Sequence, residues 1–105
     1  MIMQNEPLGA RVARRLRDAR IQAGMTVREA AAELAISHTL IVKYENGVVA
    51  PSFERLQSLA AIYRTSAAAL LAERDEAIPL LALLDQATGE QIAQFIQLMK
   101  HARDD

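Results

Sequence analysis

The sequence predicts an all-α fold: a five-helix domain followed by a C-terminal two-helix hairpin. Apolar residues recur at three- and four-residue spacings, which places them on one face of a 3.6-residue helix. Ser or Thr stands just ahead of several of these stripes, as a helix N-cap does. Alanine supplies much of the apolar content and aromatics only 4%, so the core must come from helices that approach closely.

Residues 1–7 read as a short flexible arm without the basic segment and apolar run of a signal peptide. A helix is expected over 8–23. Leu8, Val12, Leu16 and Ala19 form its inner stripe, and Arg11, Arg14 and Arg17 its solvated face. Gly24 ends it through tolerance of positive φ, and Met25 plugs the core. Thr26, three residues before Glu29, forms a capping box, and Ala30, Ala31 and Leu34 give the second helix a small-residue inner face. Ser37 caps a third helix that runs to Glu45 and stops at Asn46–Gly47. Pro51 precedes a Ser52 cap. The fourth helix, 53–63, puts Leu56, Leu59, Ala60 and Tyr63 on one face. A fifth, from residue 66 or 67 to about 73, adds Leu70 and Leu71.

The polar run 73–76 reads as a hinge or helix end, which places the domain boundary near residue 73. Beyond it a very apolar helix over 78–84 accepts Pro79 in its first turn. Thr88 and Gln91 form a second capping box, opening a helix to about residue 102 with Ile92, Phe95, Ile96 and Met99 on one stripe. Two amphipathic helices alone make a poor core. Leu81, Leu84, Ile92, Phe95, Ile96 and Met99 are therefore expected to pack on the first domain or, as a dimer interface, on a second copy.

The third helix can be sorted at about 100° per residue. Ile41 and Tyr44, with Leu40 less centrally, point one way, while His38, Thr39, Val42 and Lys43 point the other. A short helix pinned by two inward residues, with donors, a branched methyl group and a cation outside, has the layout of a recognition helix in a helix-turn-helix.

Composition narrows the function. Cysteine is absent, so there is no disulfide and no thiolate metal site, and no run is long enough to span a membrane. The net charge of −1 hides an asymmetry: residues 1–64 carry nine Lys/Arg against six acids, and residues 65–105 three against seven. The first part suits a polyanion. His38 and His101 are far apart, and no zinc-protease, phosphate-loop or nucleophile-elbow motif occurs, so no enzyme, metal or cofactor is expected.

Three pieces in register, R-x-x-R-I-Q-x-G-M-T (17–26), Y-E-N-G (44–47) and P-S-x-x-x-L-x-x-L-A (51–60), make the chain resemble the Xre–Cro family of phage-repressor-type helix-turn-helix transcription regulators. The resemblance implies that Arg20 and Glu45 form a structural ion pair. It also implies that His38 and Thr39 contact base edges, with Val42 and Lys43 also on the groove side; Arg28 and Asn46, at helix ends, are expected by position to contact the DNA backbone. Three positions depart from the family pattern. Val27 stands where many members have a Gln that contacts phosphate, Ala35 where the turn often has Gly, and Val48–Val49–Ala50 where the loop is often polar. These changes lower the expected affinity for DNA.

The expected protein is a cytoplasmic, bacterial or phage-derived homodimer that binds an operator in double-stranded DNA, most simply as a repressor. Two other readings are open: an antitoxin-like DNA binder that neutralises a protein partner through the C-terminal hairpin, and a protein-interaction module that reuses the fold.

Overall fold

The computed structural model describes residues 6–104, with side chains through residue 102; residues 1–5 of the expected arm lie outside the described residues. Seven α-helices occur among the described residues: α1 (Leu8–Gln22), α2 (Val27–Leu34), α3 (His38–Glu45), α4 (Phe53–Ile62), α5 (Ala67–Leu71), α6 (Ile78–Gln86) and α7 (Gly89–Asp104). A 3-10 turn, Asp75–Ala77, leads into α6, and no strand is present in this span.

The starts of α2 to α5 and of α7 are set by side chains. The hydroxyls of Thr26, Ser37, Ser52 and Ser66 accept the backbone N–H three residues on, at 3.0, 3.2, 3.1 and 3.0 Å. Each bond satisfies a donor that the first turn leaves orphaned. At Thr26 and Thr88 the bond is reciprocated, by Glu29 at 2.8 Å and Gln91 at 3.0 Å.

The ends of α1 to α4 share one device. In each, a residue in the left-handed region follows the helix: Gly24, Ala35, Gly47 and Arg64, with φ of 74°, 56°, 73° and 60°. In each, two N–H groups turn back onto the last carbonyls. Met25 donates to Arg20, Ile36 to Ala31, Val48 to Lys43 and Thr65 to Ala60, at 2.9–3.1 Å. This is the Schellman arrangement. Glycine fills it at no steric cost in two of the four, and Ala35 and Arg64 hold it against their own Cβ atoms.

α1 to α5 close around one core. Leu16, Ile41 and Leu59 are fully buried, and Val12, Ala30, Ala31, Tyr44, Leu56, Ala60, Tyr63 and Leu70 surround them. Burying each of the three large aliphatic residues is worth roughly 2 kcal/mol relative to exposure. Ala30 and Ala31, both buried, are the small residues through which α2 joins this core. Leu8, at the open end of the α1 stripe, is exposed.

The arginines of α1 depart from the sequence expectation. Arg17 is exposed, but Arg11 is buried and donates to the Glu6 carbonyl at 3.0 Å, and Arg14 pairs with Glu6 at 2.8 Å and Asp75 at 3.3 Å. Partners arrive from outside the helix, one just before it and one far along the chain. Glu6 turns back along α1, and Asp75 returns 61 residues later.

Arg15 is deeper still, with only 3% of its side chain exposed. It donates to the Ala69, Leu70 and Ala72 carbonyls and, at 2.7 Å, to the Asp75 carboxylate. This guanidinium takes up the free carbonyls at the end of α5. The helix accordingly stops at Leu71, short of the expected residue 73, and Ala72 is extended.

The C-terminal helices form where expected but do not close. Ala87 is extended, with ψ 151°, and sends α7 away from α6. Among the described residues α7 has no extensive contact with any other element, α6 included. The radius of gyration is 15.6 Å, against about 13 Å for a compact chain of this length. Leu81, Leu84, Ile92 and Phe95 are half-buried, while Leu80, Leu83, Ile96, Leu98 and Met99 are exposed.

Candidate nucleic-acid interface

The turn between α2 and α3 sets the angle at which α3 leaves the domain. Ala35 reverses the chain, the Ile36 N–H closes onto the Ala31 carbonyl at 3.0 Å, and Ser37 begins α3 one residue later. Ile36 packs against the core from the turn itself. α3 is then anchored by buried Ile41 and Tyr44, one turn apart on its inner side.

Its far end is fixed by a bidentate ion pair. The Arg20 Nε donates to Glu45 Oε2 at 2.6 Å and Nη2 to Oε1 at 3.0 Å, while Nη1 reaches the Met25 carbonyl at 2.9 Å. One guanidinium therefore joins α1, the α1–α2 turn and the end of α3. The bond to Glu45 pushes the Arg20 pKa up against the opposing effect of burial. The Glu45 side chain is 7% exposed and its charge is met by Arg20. Burial, with Glu45 nearby, pushes the Tyr63 hydroxyl up to about 12, so it stays protonated throughout the physiological range.

His38, Thr39, Val42 and Lys43 lie together on the exposed side of α3. Among the described residues none has a side-chain hydrogen bond or ion pair, so their donors are free for a ligand. His38 and Thr39 also sit in the first turn, where the unsatisfied N–H groups of the helix carry partial positive charge. Arg28, in the first turn of α2, and Asn46, just past α3, are likewise exposed.

Beside this polar face lies an apolar edge. Val42, Val49, Val48 (68% exposed) and Phe53 (64% exposed) present methyl groups and a ring to solvent. The loop that carries Val48 and Val49 is tied to α3 by their N–H bonds to the Lys43 carbonyl.

Sequence reasoning did not single out Arg15, Asp75 or Glu6. A signal for Arg15 was present. At 100° per residue it lies about 20° from Leu8, close to the apolar stripe of α1, where a charge needs a partner. Nothing local marks Asp75 or Glu6.

Among the described residues no group of acidic and histidine side chains could hold a metal ion, and no helix is long and apolar enough to cross a membrane.

Residues 16–70 match the family described as helix-turn-helix, which spans α2, α3 and their supporting helices. The match covers more than half of the chain, and the protein belongs to this family of DNA-binding regulators, of the Xre–Cro type. No curated protein and no solved structure matches the chain.

Proposed function

We propose that the protein is a dimeric, sequence-specific transcription repressor that binds a near-palindromic operator through α3. The division of α3 carries this reading: Ile41 and Tyr44 fix the helix from inside, and four side chains with no intramolecular partner stand outside. In the major groove His38 and Lys43 would donate to guanine or phosphate. Thr39 and Val42 would meet thymine methyl groups, with Thr39 also bonding a base edge. Arg28 and Asn46 would hold the phosphate backbone and set register.

One short helix reads only a few base pairs, and a two-fold dimer places two of them about 34 Å apart. The dimer contact we assign is α6–α7, through Leu81, Leu84, Ile92, Phe95, Ile96 and Met99. The apolar surface that these helices leave uncovered supports that assignment. Repression follows where the operator overlaps a promoter.

Selection from random duplexes tests the reading. A palindromic winner is expected, with discrimination relaxed in a His38→Ala, Thr39→Ala variant. Arg28→Ala should weaken all duplexes alike and lower the salt slope by about 1. Failure to enrich any sequence would refute it. Truncation after Arg74 should give a monomer in sedimentation, and a persisting dimer would refute the α6–α7 contact.

The apolar edge at Val42, Val48, Val49 and Phe53 favours a second reading, in which this face docks a protein. Binding to DNA with no sequence preference and little dependence on salt would point to it.

A further inference from the structure

A cavity of about 600 Å³ opens between α1, the α4–α5 turn, α5 and α6. That volume falls within the roughly 300–1,000 Å³ of small-molecule sites. Leu70, Ile78, Pro79 and Ala82 supply apolar wall.

Its charged lining is three arginines, Arg14, Arg15 and Arg64, against two carboxylates, Asp18 and Asp75. Both carboxylates are already engaged. Asp75 lies 2.7 Å from Arg15 and 3.3 Å from Arg14, and Asp18 lies 3.8 Å from Arg14. Glu6 holds Arg14 from outside the cavity. Arg64 is left over: it is exposed, and among the described residues its guanidinium has no hydrogen bond or ion pair; the side chains of its lining neighbours Thr65, half-buried, and Gln22, exposed, have no hydrogen bond either.

Arg64 also occupies a backbone conformation that does not suit it. Its φ of 60° ends α4 in the way that Gly24 and Gly47 end α1 and α3. Glycine would remove the Cβ conflict. Arg64 thus places an exposed cation with no intramolecular partner among the described residues beside a cavity whose wall is largely apolar.

We propose that this cavity binds a small amphipathic carboxylate, its charge on Arg64 and its apolar body against Ile78, Pro79 and Ala82. One wall belongs to the helix-turn-helix domain and the other to α6, so an occupant spans the joint between them. An effect on operator binding rests on the α6–α7 dimer reading; occupancy itself does not.

The test is a protein-observed NMR titration of the full chain, without DNA, using naphthoate and its neutral counterpart naphthamide. Saturable shifts are expected at Arg64, Thr65, Ala69 and Ala82, with naphthamide about tenfold weaker, the scale of one charge-assisted hydrogen bond. Arg64→Gly should weaken naphthoate about tenfold while raising Tm by about 4 °C. Loss of binding in a variant that has gained stability separates a ligand contact from a structural one. Arg64→Lys should keep most of the affinity. Three results would each overturn the proposal: no saturable shift up to the solubility limit, equal affinity for the two probes, or shifts confined to the exposed faces at Leu83 and Leu98. None of these bears on whether α3 reads DNA.

Discussion

Leu59 and Leu83 are both leucines within amphipathic helices, yet Leu59 is 1% exposed and Leu83 69%. The ion pairs divide the same way. Arg20 and Glu45 are bidentate and largely buried, whereas Arg74 and Glu76 lie 3.5 Å apart with about two thirds of each side chain in water. Both regions have capped helices and apolar stripes. Only the first has enough helices to cover each stripe with another. Local signals thus suffice to make a helix in either region, and burial depends on how many neighbours the chain brings back.

The largest test of this contrast is charge removal. Arg20→Ala leaves Glu45 buried and unpaired and should cost about 4 kcal/mol in denaturant unfolding, whereas Arg74→Ala should leave stability unchanged. Comparable losses from the two would erase the distinction between a buried and a solvated pair.

Next come the leucines. Leu59→Ala should cost about 3 kcal/mol through lost burial and a cavity, and Leu83→Ala less than about 0.5 kcal/mol in the same unfolding measurement. A large loss at Leu83 would mean that the C-terminal helices have a core of their own.

Smaller, and opposite in sign, is Ala35→Gly. Its φ of 56° is one that glycine adopts freely, so the change should raise stability by about 0.5–1 kcal/mol, read as a higher Tm. A lower Tm would show that the turn tolerates Ala without strain.

The smallest effect concerns the joint between the regions. Hydrogen bonds to Arg14 and Arg15 hold the carboxyl pKa values of Glu6 and Asp75 below their ordinary range. Depressed values stabilise the folded state above the ordinary pKa of about 4, and this is lost as pH falls through the folded values. Acid should therefore loosen Asp75 from α1 before the core melts. Amide shifts of Asp75 and Arg15 that stay fixed until global unfolding would contradict this.

The starts of α2, α3 and α7 were legible because each is written within four residues, in Thr26–Glu29, Ser37–Leu40 and Thr88–Gln91. The stripe Leu56, Leu59, Ala60 and Tyr63 was legible for the same reason, and all four are buried. On α3 the division into an inner pair and an outer four follows from the helical angle alone. The Arg20–Glu45 pairing entered only through family resemblance, since 25 residues separate the partners. The partners of Arg11, Arg14 and Arg15 were illegible in a stronger sense, although the place of Arg15 beside the apolar stripe of α1 was itself a signal. The surroundings of these arginines are made by Glu6, Asp75 and the carbonyls at the end of α5, and periodicity along α1 does not name those segments. The end of the fourth helix at Tyr63 was legible, but the left-handed turn at Arg64 was hidden because no glycine marks it.

The four left-handed helix ends also bear on kinetics. Each stop is closed by N–H groups and carbonyls within six residues of one another, so it forms on the timescale of its own helix, before any distant segment arrives. As α1 to α4 dock, the length and exit of each are set by its own bonds and not by a distant segment. The remaining search is over how short rods stack, and over little else.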